Sequence, residues 1–276
     1  MATLPQADWT KRQDLAQLIA ALGADNTRYV GGAVRDSLLG KDIHDIDCAT
    51  PLHPAEVIDR CKDAGIRTIP TGIDHGTVTA ILPHGNVEIT TLRRDVSTDG
   101  RRATVAFATE WKEGASRRGF TINALYAHPE TLEIDDYFGG VTDLEAGRVR
   151  FIGDARERIR EDHLRILRYF RFQTRFGDDW DDEATAACEE LASTLKGLSR
   201  ERVGWELQNL LALPDPSPTV FKMRELGVMQ QVLPECGQRE AENLAQLVKT
   251  ERDYEISPDA MRRLAAMLPP VPPVAE

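Results

Sequence analysis

Two adjacent glycines, an arginine and two aspartates lie within one short run of the chain, and together they could bind a phosphate and a metal ion. Gly31 and Gly32 follow a short apolar segment. Glycine has no Cβ, so the backbone there can approach a ligand closely. Arg35 follows at a position from which it could hold a phosphate. Asp45 comes ten residues after Arg35 and Asp47 comes twelve residues after it, at a spacing that places both carboxylates on one face of a strand.

The aspartate pair favours metal chemistry because two carboxylates on one face repel each other unless a hard divalent cation lies between them. Mg²⁺ accepts such oxygens together with substrate phosphates. A phosphate-binding turn beside a metal-binding carboxylate pair is typical of nucleotidyl transfer. A Gly-Gly pair alone is usually an ordinary turn, and an Asp-x-Asp pair alone is usually a solvated loop. The interpretation therefore depends on the two occurring together.

Three further runs carry side chains of the same chemistry. Glu88 lies in a predicted strand and could face the aspartate pair, although it could also be an ordinary strand glutamate. The run 117–125 reads Arg-Arg-Gly-Phe-Thr-Ile-Asn-Ala-Leu. In a helix predicted over 161–172, the side chains of Asp162, Arg165 and Arg168 share one face at i, i+3 and i+6. The alternative for that helix is an intrahelical ion pair, which contributes only tenths of a kcal/mol.

In this order, the runs resemble the motifs of class II tRNA nucleotidyltransferases (CCA-adding enzymes) and bacterial poly(A) polymerases. The resemblance covers roughly residues 25–260. It implies that Asp45 and Asp47 hold two Mg²⁺ ions for two-metal phosphoryl transfer, with Glu88 as an accessory catalytic carboxylate. It also implies a set of nucleotide-binding residues, in which Asp162 and Arg165 read the edge of the base: Gly31, Gly32, Arg35, Asp36, Arg117, Arg118, Asn123, Asp162, Arg165 and Arg168.

The implied reaction is attack by the 3′-hydroxyl of tRNA on the α-phosphate of CTP or ATP, which releases pyrophosphate. One alternative is a poly(A) polymerase of the same family. Those members carry a basic patch where this chain has residues 67–77, with one arginine and one aspartate, so tRNA is favoured. Residues 93–102 have four arginines and no periodicity, which predicts a mobile basic loop and weighs against an enzyme that adds only the two cytidines.

Two positions depart from the family pattern. Gly119 stands where relatives have an aspartate after Arg-Arg, and Gly114 stands where relatives usually have another. These departures, together with an early end of the chain, suggest a second alternative, a catalytically weakened RNA- or nucleotide-binding remnant. The short C-terminus itself is open to three explanations: a compact variant, a truncated remnant, or a partner chain that completes the helical body.

Composition indicates a globular chain. Its 276 residues are 41% apolar and 29% charged, with no apolar run of roughly 18 residues and no N-terminal signal, so we expect a cytoplasmic protein without a membrane segment. The four cysteines form no Cys-x-x-Cys pair, which disfavours a zinc site or a disulfide framework. The net charge of −11 argues against a general nucleic-acid coat, yet nine arginines lie between residues 148 and 175.

The resemblance implies that these side chains are positioned by an α/β head of the nucleotidyltransferase fold, with a short mixed sheet and flanking helices, followed by an all-α neck and a partial α-helical body. We place the head at 1–145, the neck at 146–214 and the body at 215–276. Strands are predicted at 27–30, 43–49, 77–82 and 87–92. Asp136, Gly140 and Arg150 match the family's hinge motif. A helix over 200–211 is expected to hold neighbouring arginines through Glu201 and Glu206.

Overall fold

The structure is a computed structural model that describes residues 2–43, 45–73, 76–98 and 103–270. The chain forms two compact units, Met1–Ala146 and Gly147–Glu276. The separate neck and body within the second unit stay a prediction.

The first unit is built on a mixed sheet. Its strands are β1 (Arg28–Val30), β2 (Ile46–Thr50), β3 (Arg67–Gly72), β4 (Thr77–Ile81), β5 (Val87–Thr91), β6 (Arg93–Thr98), β7 (Ala103–Phe107), β8 (Leu125–Ala127) and β9 (Ile134–Asp136). Seven strands form one sheet in the order β3-β4-β5-β2-β1-β8-β9, and β6 and β7 pair as a separate ribbon. β2 and β5 pair in parallel, whereas the other neighbours are antiparallel. The predicted short mixed sheet is confirmed.

Helices flank this sheet. They are α1 (Gln13–Leu22), α2 (Gly32–Leu38), α3 (Pro54–Asp63), α4 (Trp111–Ser116) and α5 (Gly140–Glu145). α1 buries Leu15, Leu18, Ile19 and Leu22, which recur at helical spacing. These side chains join one hydrophobic core with Val57 and Cys61 of α3 and with the buried residues of β2, β4 and β5. Gly23 ends α1 with φ of +91°, a conformation that glycine adopts without steric cost.

Two predictions for the first unit are wrong: the start of the strand that was to carry Asp45, and the loop structure of residues 93–98. β2 begins at Ile46, so Asp45 lies directly before the strand instead of inside it. Residues 93–98 are a strand paired with 103–107, where we predicted an aperiodic loop, and residues 99–102 of that prediction lie outside the described part of the chain. A two-stranded ribbon satisfies its backbone hydrogen bonds by pairing, so its polar composition does not exclude strand structure.

The second unit is helical. Its helices are α6 (Ala155–Glu161), α7 (Arg165–Phe176), α8 (Asp182–Leu191), α9 (Arg200–Leu211), α10 (Ser217–Glu225), α11 (Met229–Val232), α12 (Gln238–Asp253) and α13 (Ala260–Ala266). Arg263, which is 1% exposed, connects three of them. Its guanidinium donates to Glu251 of α12 and to the backbone oxygens of Leu211 and Pro214 at the end of α9. These bonds satisfy carbonyls that a helix end leaves without intrahelical partners.

The predicted helix over 161–172 is interrupted. α6 ends at Glu161, Asp162 is extended with φ of −150° and ψ of 102°, and α7 begins at Arg165. The Asp162 carboxylate accepts a hydrogen bond from the backbone N–H of Leu164. Aspartate commonly accepts a hydrogen bond from the backbone two residues on in a turn, and this turn separates α6 from α7.

Among the described residues, no helix has the length and apolar character needed to cross a membrane. The four cysteines are free and buried.

Candidate active site

The glycine turn joins β1 to α2 and brings a distant arginine against the backbone. Gly31 has φ of +68°, and a Cβ at this position would lie 2.9 Å from Nη1 of Arg118. Both facts require glycine, because L side chains rarely adopt this backbone conformation. The Gly31 N–H donates to the Leu125 carbonyl at 3.3 Å, which ties the turn to β8.

Arg35 is buried and already engaged. It is 5% exposed, its Nε donates to the Asp36 carboxylate at 2.7 Å, and its Nη1 donates to the side-chain oxygen of Asn123. A phosphate role for Arg35 stays a prediction. In the structure its guanidinium connects α2 to the run that carries Arg117 and Arg118.

The three candidate carboxylates meet at the parallel pair of strands. Asp47 of β2 lies opposite Glu88 of β5 in the register. The residues on either side of each are buried, while Asp47 is half-buried and Glu88 is exposed. Because side chains alternate between faces along a strand, Asp47 and Glu88 share the face away from the hydrophobic core.

The electrostatics of this face centre on Asp47. Burial raises the pKa of Asp47, and the charges of Glu88 and Asp45 raise it further, while the guanidinium of Arg118 acts in the opposite direction. Three carboxylates repelling one another disfavour the ionised form of Asp47. A cation bound among them would remove that repulsion.

This donor set fits Mg²⁺ that is shared with a substrate. The described residues contain no group of three or more His, Cys, Asp or Glu side chains arranged to hold a metal ion, so Glu88 is not part of a ready-made protein cage. Mg²⁺ commonly takes only one or two protein carboxylates and completes its shell with water and phosphate oxygens. Asp45 and Asp47 are the pair that fits this mode.

Arg118 is positioned by contacts that the sequence did not reveal. Its Nη1 donates to the backbone oxygen of Asn123 at 3.3 Å, and its Nε lies 3.5 Å from the Tyr126 hydroxyl. The guanidinium also lies 5.5 Å from the centroid of the Tyr126 ring, within cation–π range. Tyr126 therefore orients the arginine whose charge acts to lower the pKa of Asp47, and nothing in its sequence context indicated this.

Gly114 is packed tightly in α4. A Cβ there would lie 2.4 Å from Cδ2 of Leu92 and 3.3 Å from the Tyr126 hydroxyl. An aspartate at 114 would require the buried Leu92 side chain to move. Gly119 is half-buried in the turn after α4.

The proposed hinge motif has a local structural basis. The Asp136 carboxylate accepts hydrogen bonds from the backbone N–H groups of Gly140 and Val141, at 2.8 and 3.0 Å, and so caps α5. A Cβ at Gly140 would lie 2.3 Å from the Thr121 carbonyl oxygen. Only glycine permits this close approach, and the Thr121 hydroxyl reinforces it by donating to Asp143.

In the second unit, Asp162 and Arg165 have different partners. Asp162 accepts from Nη2 of Arg202 at 3.1 Å and lies 3.6 Å from Nη1 of Arg168. Arg165 instead bonds to the carboxylate of Glu161 and the backbone oxygen of Arg158. The expectation that Asp162, Arg165 and Arg168 share one face of a single helix is wrong, because Asp162 precedes α7.

The support from α9 is confirmed for one of its two glutamates. Glu206 is 1% exposed and accepts from Nε of Arg168 at 3.0 Å and from Nε of Arg171 at 2.7 Å. Glu201 is exposed, and the contact from α9 to Asp162 comes from Arg202. The sequence signal for the contact of Arg202 with Asp162 was limited to the position of Arg202 one helical turn before Glu206.

The structure also contains a cleft of about 800 Å³ in the first unit, next to Trp9, Ser37 and Ile46. None of the three candidate carboxylates lines it. Ile46 alternates with Asp47 along β2, so the cleft lies away from the carboxylate face.

Family models match part of each of the two units. The model of the poly A polymerase head domain matches residues 27–150, and the model described as a probable RNA and SrmB-binding site of polymerase A matches residues 180–238. The mouse mitochondrial CCA tRNA nucleotidyltransferase 1 is 42% identical over 245 residues, which is 87% of this chain and 55% of the relative. The CCA-adding enzyme of Leuconostoc citreum is 41% identical over 214 residues, which is 76% of this chain and 51% of the relative. The chain thus spans about half the length of the curated relatives it matches.

Solved structures show the same fold. The Bacillus stearothermophilus CCA-adding enzyme in complex with CTP aligns with a TM-score of 0.71 and 27% identity, over 93% of this chain and 66% of that one. The Thermotoga maritima CCA-adding enzyme complexed with tRNA aligns with a TM-score of 0.74 and 22% identity, over 97% and 66%.

Proposed function

This chain belongs to the family of CCA-adding tRNA nucleotidyltransferases and poly(A) polymerases, and we propose that it adds CMP and AMP from CTP and ATP to the 3′ end of tRNA without a nucleic-acid template. The observation that carries the proposal is the parallel register of Asp47 with Glu88, beside an arginine whose charge acts on Asp47. This arrangement suits a metal-bound triphosphate, and the relatives named for CCA addition support the substrate.

In the first unit, Asp45 and Asp47 would hold Mg²⁺, and Arg118 would face the triphosphate. Bound Mg²⁺ would lower the pKa of the attacking hydroxyl and neutralise charge on the leaving pyrophosphate. The 3′-hydroxyl of the RNA loses its proton to water and its oxygen forms a bond to the α-phosphorus, the bond from that phosphorus to the β-phosphate oxygen breaks, and pyrophosphate leaves. The turn at Gly31 and the Arg35–Asn123 bond would keep Arg118 in place during this step.

In the second unit, Asp162 and Arg165 would choose the base. An ionised carboxylate only accepts hydrogen bonds and a guanidinium only donates them, so together they can match the edge of a base. Their present partners, Arg202 and Arg168 for Asp162 and Glu161 for Arg165, would keep the two side chains ordered before the nucleotide arrives.

Product analysis tests this function. Purified protein is incubated with Mg²⁺, CTP, ATP and a tRNA that lacks its terminal CCA, and the extended RNA is sequenced. CCA addition predicts two cytidines and one adenosine, after which extension stops. A run of adenosines would identify a poly(A) polymerase. Tight RNA or nucleotide binding with no extension would identify a remnant.

A further inference from the structure

The indole of Trp205 on α9 is exposed and lies beside arginine side chains that are held in place by other residues. Trp205 is 59% exposed, and Cζ of Arg171 lies 5.9 Å from the centroid of its ring. Tryptophan carries the largest apolar surface of any side chain, so leaving its ring in water forgoes burial energy that a binding partner could recover.

The arginine beside this ring is fixed in place. Arg171 is bound by the buried Glu206 at 2.7 Å and also lies 4.5 Å from the centroid of Phe172. Glu206 binds Arg168 as well. The group is therefore ordered without a ligand, which lowers the entropy cost of binding one.

The local charge is positive in an acidic chain. In the described part of the chain, Arg168, Arg171 and Arg202 form ion pairs with two carboxylates, Asp162 and Glu206, and these five side chains carry a charge of 3 − 2 = +1. The whole chain has a net charge of −11. The side chains of Arg168 and Arg202 are 39% and 48% exposed, so both can reach a ligand.

We propose that this surface, formed by Trp205, Arg168, Arg171 and Arg202, binds the single-stranded 3′ end of an RNA, with one base stacked on the indole and a phosphate held by the arginines. Aromatic stacking combined with basic side chains is how proteins hold single-stranded nucleic acid without reading its sequence. Trp205 and Arg202 lie inside residues 180–238, the segment matched by the RNA-binding family model, and Arg168 and Arg171 precede that segment. The identification of the RNA as a tRNA end rests on the proposed function.

Binding without turnover tests the surface. A fluorescent RNA hairpin with a single-stranded 3′ end is titrated with protein in the absence of nucleotide, and its Kd is measured by anisotropy. Trp205→Ala should raise the Kd roughly 5- to 150-fold, the range of one lost base stack, while Trp205→Phe should retain most of the affinity. Tyr254, an exposed aromatic of the same unit, supplies the matched control, and Tyr254→Ala should leave the Kd unchanged.

An abasic RNA separates stacking from a general structural effect. Removing the bases of the single-stranded end should weaken binding to the wild type but should cause no further loss in Trp205→Ala. Arg202→Gln should instead reduce the slope of log Kd against log salt, because it removes a phosphate contact. A Kd for Trp205→Ala within twofold of wild type, or equal losses from the abasic end in both proteins, would overturn the proposal.

The two proposals fail differently. If Trp205→Ala weakens RNA binding but the wild type incorporates no CTP, the RNA surface is supported and the catalytic function is refuted. If the wild type incorporates CTP while Trp205→Ala binds RNA normally, the catalytic function is supported and this surface is refuted.

Discussion

Glu206→Gln should destabilise the second unit by removing the charge that holds two arginines. Glu206 is 1% exposed and accepts hydrogen bonds from Arg168 and Arg171 at 3.0 and 2.7 Å. Each such bond to a charged group contributes about 1.5–3 kcal/mol. Glutamine keeps one acceptor oxygen but turns an N–H₂ group toward the other guanidinium. The Arg168 side chain is 39% exposed, so water can replace part of the hydrogen bonding that it loses. The free energy of unfolding should therefore fall by about 2–4 kcal/mol.

Urea denaturation followed by circular dichroism measures this loss. With a typical m value of about 2 kcal/mol per M, the midpoint should fall by roughly 1–2 M. Glu201→Gln is the matched control, since Glu201 lies on the same helix and is exposed, and its effect should stay within about 0.5 kcal/mol. A double-mutant cycle with Arg171→Gln should give a coupling of roughly 0.5–3 kcal/mol. Equal midpoints for the two glutamine variants would refute the role of Glu206.

Three further predictions concern selectivity and acid stability. Asp162→Ala should reduce discrimination between CTP and ATP by about 1–3 kcal/mol per lost base contact. The measurement is incorporation with both nucleotides in competition, and unchanged selectivity would mean that Asp162 only supports the arginines. The family resemblance implies that the aspartate which relatives have at position 119 accepts a hydrogen bond from the ribose 2′-hydroxyl. Gly119 has no side chain for this contact, so the protein should discriminate CTP from dCTP poorly, and Gly119→Asp should improve that ratio roughly ten- to a hundredfold. Strong rejection of dCTP by the native protein would contradict this. The hydrogen bond from Arg12 holds the pKa of the buried Asp14 well below its ordinary value of 3.8, so its stabilisation is complete above that value and is lost as the pH falls below it. Asp14→Asn should therefore lower the unfolding free energy at pH 7 and flatten its decline below about pH 4, and a parallel decline in both proteins would show that Asp14 contributes nothing there.

The sequence predicted the carboxylate face well because its signals were local. Period-two alternation placed Asp47 and Glu88 on strands, and the structure pairs those strands. The prediction of one helix over 161–172 was wrong because Asp162 forms a turn and was treated as a helical residue. Asp162 hydrogen-bonds to Leu164, and aspartate favours turns of this kind, so the break had a signal that helical spacing concealed.

Long-range pairing explains the other differences. Arg35 had the pattern of a phosphate ligand, yet it is buried against Asp36 and Asn123. Asp36 was adjacent in sequence, but Asn123 is 88 residues away. The roles of Tyr126 and Arg202 likewise depend on contacts between distant segments. A single sequence shows which side chains have the right chemistry, but packing decides which of them are already engaged.

Incorporation of labelled CTP by aspartate variants tests the central claim most directly. Asp47→Asn removes one negative charge from the repelling carboxylates, so the fold should persist while incorporation into tRNA lacking its CCA end is abolished. Asp59→Asn, on the exposed side of α3, is the matched control and should retain full activity. Folded Asp47→Asn protein with no detectable incorporation is the predicted result. Activity within about tenfold of wild type would contradict the metal-dependent mechanism.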